Sequence, residues 1–395
     1  MTRWVRAIGH GWVVEEGLPR PDVDEFAEPA EVVAALAGPE GGHDSLLAVQ
    51  HPHRTPRALA QGQTLAESLP AARQTLDRLR ASMYRQVSEV VGAYRVDGPD
   101  GVAAGVMCLV DPAAADGHGL SRVRHSEQVY PQVVAERAAV LAGLGCATSA
   151  AMLVPVEHGD QFTAIVLRTI GTLPAPSVST TDSAGRTHQL WLLGPGAEQD
   201  GLLVAVARGP LLVADGNHRV AAAAAGAGSY LLALVTAGPA LHIGAIHRAL
   251  AGTGLRAAEL ADAWCRKGLV VRETTDLRPP VLPGTVVVRA PGGGLLVTLP
   301  APEPGEPSPR IDHGLVERLL IADALGIDPE GPQLRALPAG HPEGLDVDAV
   351  LQLAPVPFSD VLAVHEQGQR MPRKSTYFTP KPRSGLLLAD LTGQR

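Results

Sequence analysis

The sequence predicts an α/β fold, because apolar segments with strand character alternate with helical segments along the chain. Hydrophobic residues make up 45% of the 395 residues, which is enough for a substantial core. Aromatic residues make up only 3%, so Ala, Val and Leu must build most of that core. We expect an N-terminal segment at 1–60, an α/β core at 61–240, and a C-terminal α/β region at 241–395 that is interlocked with the core.

The first half of the chain carries both kinds of segment. Four leucines at helical spacing predict a helix through 64–94. A second helix, within 125–145, is predicted to end at Gly145. A shorter helix is predicted at 29–38. Continuous apolar runs predict buried strands at 102–111, 150–156, 162–170 and 188–194.

The second half continues the alternation. Residues 202–238 predict an apolar segment, a strand, a turn, a helix and another strand. A helical region is predicted over 241–268, a hairpin over 283–300 and a helix over 313–327. Residues 301–310 form a Pro-rich loop or linker, and 371–395 predict a basic, loop-like stretch followed by a short apolar tail.

Composition excludes several classes of function. The net charge of −8 disfavours a nucleic-acid binder, which needs a basic face to displace counterions. No apolar run is long enough to span a bilayer, and charges come too early for a signal peptide. Three distant cysteines, Cys108, Cys146 and Cys265, fit a reducing cytoplasm. We expect a cytoplasmic protein without a membrane or nucleic-acid partner, and the sequence leaves a homodimer open.

The most polar pentapeptide of the predicted core, Asp-Gly-Asn-His-Arg, lies between two apolar segments, in LLVADGNHRVAAAAAGAG at 211–228. The strand before it and the alanine helix after it place backbone N–H groups and a positive helix end at one turn, which suits a phosphate or another anion. Gly216 permits the turn, Arg219 offers a planar fork for phosphate oxygens, and His218 could donate a hydrogen bond. Asp215 could act as a general base, hold Mg²⁺ or cap the helix. A plain helix cap with an outward salt bridge remains the alternative.

A second polar stretch lies near the end of the chain, in MPRKSTYFTPKPRSGLLL at 371–388. Four cations fall within eleven residues and alternate with hydroxyl and aromatic side chains. The cations are Arg373, Lys374, Lys381 and Arg383, and the interleaved residues are Ser375, Thr376 and Tyr377. Three prolines argue against a helix. The stretch fits either a phosphate and ring site or a solvated surface loop.

Both stretches resemble known families. Asp-Gly-Asn-His-Arg is similar to the Asp-Gly-His-His-Arg box of the ParB/sulfiredoxin-like fold, which binds phosphates before a helix. Together with the tail it resembles the domain-of-unknown-function family 1015, whose members end in Met-Pro-x-Lys-Ser-Thr-Tyr-Phe-x-Pro-Lys. The resemblance extends to 83–86 and 127–141, and to the stretches that contain His188, Trp191 and Arg248. It implies a mixed-sheet core of ParB/sulfiredoxin-like type, with the tail returning to the same cleft.

The resemblance also implies a chemistry, because ParB-like relatives with this box phosphorylate free serine. It implies a small-molecule phosphotransferase that uses ATP or ADP and Mg²⁺ on an amino acid or a similar hydroxyl metabolite. A phosphatase acting on a phosphorylated amino acid or metabolite, and a non-catalytic nucleotide- or phosphate-binding protein, remain alternatives. Three departures from the family pattern, Ser126, Val134 and Asn217, leave open whether activity is redirected or lost.

Residue roles follow from the resemblance and the box. Asp215, His218 and Glu127 are the catalytic candidates, and Asp215 and Glu127 are also the Mg²⁺ candidates. Tyr84, Arg85 and Arg137 are the substrate candidates. The phosphate or nucleotide candidates are Gly216, Asn217, Arg219, Lys374, Ser375, Thr376, Tyr377, Lys381 and Arg383.

Two further stretches hint at metal ligands, HPHR at 51–54 and VEHGD at 156–160. Neither has the HExxH spacing or a clear third ligand, so a zinc site is disfavoured. No Walker P-loop, G-x-S-x-G elbow or GxGxxG–acid pair appears, so the corresponding NTPase, hydrolase and Rossmann mechanisms lack support.

Overall fold

The computed structural model describes residues 4–15, 17–18, 20–22, 29–39, 44–226, 230–239, 241–301, 309–339 and 347–392. The chain forms two compact units. The first unit comprises Met1–His125, Val129–Leu241 and Pro380–Arg395, and the second comprises Ser126–Gln128 and His242–Thr379. The three-part division that the sequence suggests stays a prediction.

The first unit is built on a mixed sheet of 12 strands among the described residues. Its strands are β1 (Val5–Arg6), β2 (Ile8–Val14), β3 (Tyr84–Gly98), β4 (Gly101–Val110), β5 (Val123–Arg124), β6 (Cys146–Ala147), β7 (Ala151–Pro155), β8 (Val178–Thr181), β9 (Thr187–Leu193), β10 (Leu211–Asp215), β11 (Leu231–Pro239) and β20 (Leu387–Asp390). The order along the sheet is β5-β10-β7-β11-β4-β3-β2-β20-β6, with β1 added on β4, β9 on β3 and β8 on β9. Because β7 pairs parallel with β11 and antiparallel with β10, the sheet is mixed.

Helices cover both faces of this sheet. They are α1 (Pro29–Ala37), α2 (Leu46–Gln50), α3 (Pro56–Ala60), α4 (Leu65–Met83), α5 (Pro131–Leu144), α6 (Gly159–Thr172), α7 (Ala197–Val206) and α8 (Asn217–Ala225), with a 3-10 turn at Pro52–Arg54. Along β4, Met107 and Leu109 pack with α4 and α5, whereas Val106 and Cys108 pack with α6 and α7. This alternation gives two hydrophobic clusters, one on each side of the sheet.

The predicted α/β class with a mixed-sheet core is confirmed, and so is the return of the tail. Strand β20 pairs with β2 and β6, so Leu387–Asp390 is part of the core sheet. Helix α5 ends at Gly145 as predicted, with Gly145 in the left-handed region at φ +62°.

Two predicted elements of the first unit are wrong. The helix predicted through 64–94 ends at Met83, and Tyr84–Gly98 is a long strand. Its Val87, Val90 and Val91 favour a strand because they are β-branched. Conversely, the strand predicted at 162–170 is helix α6. It buries Phe162 and Val166, four residues apart on one helical face, and this packing outweighs its β-branched composition.

The second unit contains a separate sheet. Its strands are β12 (His242–Gly244), β13 (Ile246–Leu250), β14 (Val270–Thr274), β15 (Thr285–Ala290), β16 (Gly293–Thr298), β17 (Leu334–Pro338), β18 (Ala349–Gln352) and β19 (Tyr377–Thr379). Its helices are α9 (Ala257–Arg266), α10 (Asp312–Leu315), a π-helical stretch at Val316–Asp323, and α11 (Phe358–Glu366). Six strands follow the order β14-β16-β15-β18-β13-β17, and β12 pairs with β19.

The predictions for this unit have mixed outcomes. The hairpin predicted at 283–300 is confirmed as β15 and β16, and 313–327 is helical. The helical region predicted over 241–268 is wrong in its first half, where β12 and β13 are strands. All five residues of β13 are buried, as in a central strand, so no amphipathic pattern was there to identify the element. Most of the Pro-rich stretch at 301–310 lies outside the described residues. Within the described part of the chain, no helix has both the length and the apolar character to cross a membrane.

Candidate functional site

The pentapeptide at 215–219, hereafter the box, forms the turn between β10 and α8. Gly216 has φ +89° and stands at the N-cap of α8. A Cβ there would come within 2.7 Å of Arg219 Nε and 3.2 Å of the Ala151 Cβ, so a glycine is required both by conformation and by space. No side chain caps the helix. The first N–H groups of α8 therefore define the kind of helix start at which anions bind.

Two cations meet on the carboxylate of the box. Lys381 Nζ donates to Asp215 Oδ1 at 2.8 Å, and Arg219 Nη2 donates to Asp215 Oδ2 at 2.5 Å. Arg219 also donates from Nη1 to the Ser149 hydroxyl. The three charged side chains are 21–24% exposed, so protein covers most of each side chain while solvent still reaches it. The formal charges of these three side chains add up to +1.

Asn217 and His218 of the box contact the segment that leads into α5. Tyr130 donates its backbone N–H to His218 Nε2 at 3.0 Å, and the two rings stack with centroids 5.9 Å apart. Asn217 is buried, and its Oδ1 lies 3.1 Å from His125 Nδ1. Since Nε2 of His218 accepts a hydrogen bond, a neutral His218 carries its proton on Nδ1. His218 is thereby oriented as a donor from its other nitrogen.

The tail is fixed in the first unit by a buried hydrogen-bonded chain. Arg383 pairs with Asp22 at 2.6 Å and donates its backbone N–H to the Tyr94 hydroxyl at 3.3 Å. The Tyr94 hydroxyl lies 2.6 Å from His188 Nδ1, and His188 Nε2 lies 3.0 Å from Asp182 Oδ2. Burial raises the pKa of Tyr94 and lowers that of His188, although Asp182 opposes the shift of the histidine. This chain anchors the tail two residues after Lys381.

In the second unit, Glu127 is held by the other half of the tail. Its carboxylate accepts the backbone N–H groups of Lys374, Ser375 and Thr376 at 3.0, 3.1 and 2.8 Å. The Thr376 hydroxyl adds a fourth hydrogen bond at 2.7 Å. Lys374 has φ +52°, a conformation rare for a residue with a side chain. Successive N–H groups that converge in this way form an anion-binding nest, and Glu127 supplies the anion.

Arg248 supports the same loop from its carbonyl side. It is 2% exposed and donates to the carbonyl oxygens of Lys374 at 3.0 Å and Arg373 at 3.1 Å. Its Nε donates to Glu317 at 2.8 Å, and Glu317 lies on the π-helical stretch. The loop is therefore fixed through its N–H groups by Glu127 and through its carbonyls by Arg248.

Comparison with known proteins gives the family. Residues 40–280, more than half of the chain, match the model of a family described as "Protein of unknown function (DUF1015)". The chain belongs to this family. The family membership predicted from the box and the tail is confirmed, and no curated protein matches the sequence.

Several solved structures are similar to this DUF1015 chain at low identity. A conserved hypothetical protein from Pyrococcus furiosus is 11% identical with a TM-score of 0.38, over 69% of this chain and 94% of that one. SbnI with C-terminal truncation from Staphylococcus aureus is 12% identical with a TM-score of 0.38, over 66% and 81%. A free serine kinase in complex with AMP is 12% identical with a TM-score of 0.36, over 67% and 89%.

The predicted substrate residues of this DUF1015 protein have three different environments. The Tyr84 hydroxyl donates to the Gly385 carbonyl at 2.8 Å, and burial raises the pKa of Tyr84. Arg85 forms an exposed ion pair with Glu15 at 3.6 Å. Arg137 lies on α5 with Nη2 3.4 Å from His51 Nε2. Tyr84 thus holds the tail, and its role and that of Arg85 in substrate binding stay predictions.

The structure assigns positioning contacts to residues that sequence reasoning left without a role. Tyr94, His188 and Asp182 anchor the tail, and Arg248 supports the loop at 373–376. The resemblance to the family already pointed to His188 and Arg248 by their place in the sequence. Arg248 also stands in the mostly apolar strand β13, and an arginine is almost never buried without a partner.

The two carboxylates predicted to hold Mg²⁺ do not fit that ion as placed. Both oxygens of Asp215 accept from cations, and those of Glu127 accept from four donors, whereas Mg²⁺ requires oxygens directed to an octahedral site. Asp215 belongs to the first unit and Glu127 to the second. In the described ranges, no group of three or more His, Cys, Asp or Glu residues is arranged to hold a metal.

Proposed function

We propose that the first unit binds the phosphate of a nucleotide or of a phosphorylated small molecule at the box, and that the protein is a small-molecule phosphotransferase. In this proposal ATP or ADP donates the phosphoryl group to the hydroxyl of an amino acid or a similar metabolite. The observation that carries it is the meeting of Arg219 and Lys381 at the start of a helix without a side-chain cap.

The electrostatics of the box support phosphate binding. Phosphoryl transfer depends mainly on positioning and on cations that stabilise charge on the phosphate oxygens. Arg219 offers a planar fork and Lys381 a point charge, and the helix start adds oriented N–H groups. Both cations are paired with the same carboxylate, that of Asp215, so the two positive groups lie together at the box.

Asp215 has a positioning role in this proposal. Its two carboxylate oxygens accept hydrogen bonds from Lys381 and Arg219. It holds the two cations in fixed directions, so that a phosphate meets them preoriented. In this proposal His218 is the group of the box that exchanges a proton with the substrate or donates to a phosphate oxygen.

Calorimetric titration with ADP and ATP tests phosphate binding. Hydrogen bonds to charged groups contribute about 1.5–3 kcal/mol, so Arg219→Met and Lys381→Met should each weaken ADP binding roughly 10- to 150-fold. Arg95→Met is the matched control, because it removes one arginine of an exposed ion pair from the same sheet. Equal ADP affinity in all four proteins would reject the site.

Phosphorus NMR then identifies the reaction. Incubation with ATP or ADP and a panel of hydroxy amino acids should give a new phosphoester signal. Release of free phosphate from phosphoserine would instead establish the phosphatase, which would use the same cations with water as the acceptor. Binding without turnover would establish a binding protein, an alternative that Asn217 favours because it stands where the family has a histidine.

A further inference from the structure

The segment around Lys381 has little backbone freedom. Pro380 and Pro382 flank the lysine, and the ring of a proline fixes its own φ at about −65°. A residue that precedes a proline is restricted as well, to extended conformations, and Lys381 is such a residue. The place of the lysine is therefore set largely by the points at which this segment is attached to the rest of the first unit.

One of these attachment points lies two residues after the lysine. The backbone N–H of Arg383 donates to the Tyr94 hydroxyl at 3.3 Å, and the Arg383 side chain pairs with Asp22 at 2.6 Å. Tyr94 lies on β3 and is 1% exposed, so the acceptor belongs to the buried part of the core sheet. Because only Pro382 separates the two residues, a shift of the Arg383 backbone moves the backbone of Lys381 with it.

The hydrogen bonds behind Tyr94 give its hydroxyl one direction. An ionised carboxylate has acceptors only, so His188 Nε2, which lies 3.0 Å from Asp182 Oδ2, carries a proton. Burial holds the pKa of His188 below its ordinary value, so the ring is neutral near neutral pH and Nδ1 is an acceptor. Tyr94 therefore donates its hydroxyl proton to Nδ1 at 2.6 Å, and its oxygen accepts from the Arg383 N–H.

Asp182, His188 and Tyr94, which we call the buried chain, lie behind the tail and outside the box. Within the described part of the protein, these three side chains form no hydrogen bond or ion pair with the box. Their connection to it is the tail segment at 381–383, in which Lys381 Nζ donates to Asp215 Oδ1 at 2.8 Å. The buried chain thus ends in one oriented acceptor that holds the backbone next to a cation of the box.

We propose that Tyr94, oriented by His188 and Asp182, is a positioning residue of the phosphate site that keeps Lys381 at the box. The proposal rests on the proposed function, since it takes the box to be the place where a phosphate binds. The apparent affinity of a site falls in proportion to the fraction of molecules in the binding-competent state. A tail without its anchor keeps the lysine at the box in fewer molecules, so the loss of the Tyr94 hydroxyl weakens phosphate binding from outside the site.

Tyr94→Phe tests the anchor and its effect separately. Without the hydroxyl, the Arg383 amide loses its acceptor, so its hydrogen exchange in the ligand-free protein should become faster. Calorimetry should show ADP binding weakened about 3- to 10-fold, the range expected for one ordinary hydrogen bond. Tyr230→Phe is the matched control, because the Tyr230 ring packs against Arg6 and its hydroxyl forms no hydrogen bond with any described residue. The control should change neither measurement.

Double-mutant cycles show whether the effect passes through the lysine. In the Lys381→Met background, Tyr94→Phe should cause no further loss of ADP affinity, because the side chain that it positions is gone. In the Arg219→Met background the same substitution should keep its full effect. An equal loss in both backgrounds would mean that Tyr94 acts on the unit as a whole, and the positioning role would be wrong.

Two variants of His188 test the orientation of the tyrosine without altering it. The side-chain oxygen of an asparagine lies near the position of Nδ1 of a histidine, and the side-chain nitrogen of a glutamine lies near that of Nε2. His188→Asn therefore keeps an acceptor for Tyr94 and should bind ADP nearly as the wild type does. His188→Gln keeps only the bond to Asp182 and should bind ADP as weakly as Tyr94→Phe. Equal ADP affinity in the two variants would overturn the proposal.

Failure of this proposal and failure of the proposed function give different results in these experiments. If the box does not bind phosphate, Lys381→Met itself binds ADP as the wild type does. If the box binds phosphate but Tyr94 does not position the lysine, Lys381→Met weakens ADP binding while Tyr94→Phe keeps wild-type affinity. Unchanged exchange of the Arg383 amide in Tyr94→Phe would refute the anchor itself, whatever the affinity for ADP.

Discussion

Gly216→Ala separates the backbone requirement of the box from its anion site. At φ +89° an alanine is strained by about 1–2 kcal/mol. The new Cβ would also lie 2.7 Å from Arg219 Nε and must push the guanidinium away from Asp215. We therefore expect both a lower free energy of unfolding and a loss of ADP affinity of roughly tenfold or more, since Arg219 loses its orientation.

Gly185→Ala is the matched control for this prediction. Gly185 also lies in the first unit, at φ +79°, and a Cβ there meets nothing within 4 Å. Both variants should lose about 1–2 kcal/mol in urea unfolding because the backbone strain is the same in kind. Only Gly216→Ala should weaken ADP in calorimetry. Wild-type ADP affinity in Gly216→Ala, with the stability loss present, would refute the role assigned to Arg219.

Three further predictions concern the buried polar groups. Glu127→Gln replaces one acceptor oxygen by an amide donor, so we expect the second unit to lose about 1–3 kcal/mol of its free energy of unfolding. Hydrogen exchange at the amides of 374–376 should become faster. Unchanged exchange there would contradict the nest. Arg248→Met removes the arginine that pairs with Glu317 and should lower the free energy of unfolding in urea by about 3 kcal/mol, whereas Arg248→Lys should stay closer to wild type. A loss below about 1 kcal/mol in Arg248→Met would contradict the support of the loop by Arg248. Because the pKa of His51 is lowered in the folded state, the unfolded state binds a proton that the native state does not as the pH falls below about 6.5, and stability falls with it. His51→Gln should therefore flatten the loss of stability between about pH 6 and pH 5 by roughly 1.4 kcal/mol per pH unit, and an unchanged slope would show that His51 is not buried in its neutral form.

The sequence predicted the box well because its signals are local. A strand, a glycine at positive φ and an alanine helix depend on neighbours within a few residues, and Gly216 adopts the conformation expected of it. The strand at 162–170 failed for the opposite reason. Val166 is buried against the sheet only once α6 is packed on it, and β-branched composition alone pointed to a strand.

The contacts between distant segments lay beyond sequence reasoning. Asp215 meets Lys381 across 166 residues, and Glu127 meets Thr376 across 249. The similarity of the tail to its family suggested candidate site residues, but not that Asp215 and Glu127 each have both oxygens engaged by donors. The surroundings of the HPHR stretch were likewise hidden, because Arg137 comes beside His51 only through the packing of α5.

The central claim is that the box binds phosphate, and the backbone amides at the start of α8 test it most directly. In a titration of the isotope-labelled wild-type protein with ADP, the amide resonances of Asn217 and His218 should shift at the same concentrations that give the calorimetric transition. Saturable shifts there, lost in Lys381→Met and kept in Arg95→Met, are what the phosphate site predicts. Amides of Asn217 and His218 that do not respond while ADP binds elsewhere on the protein would contradict it.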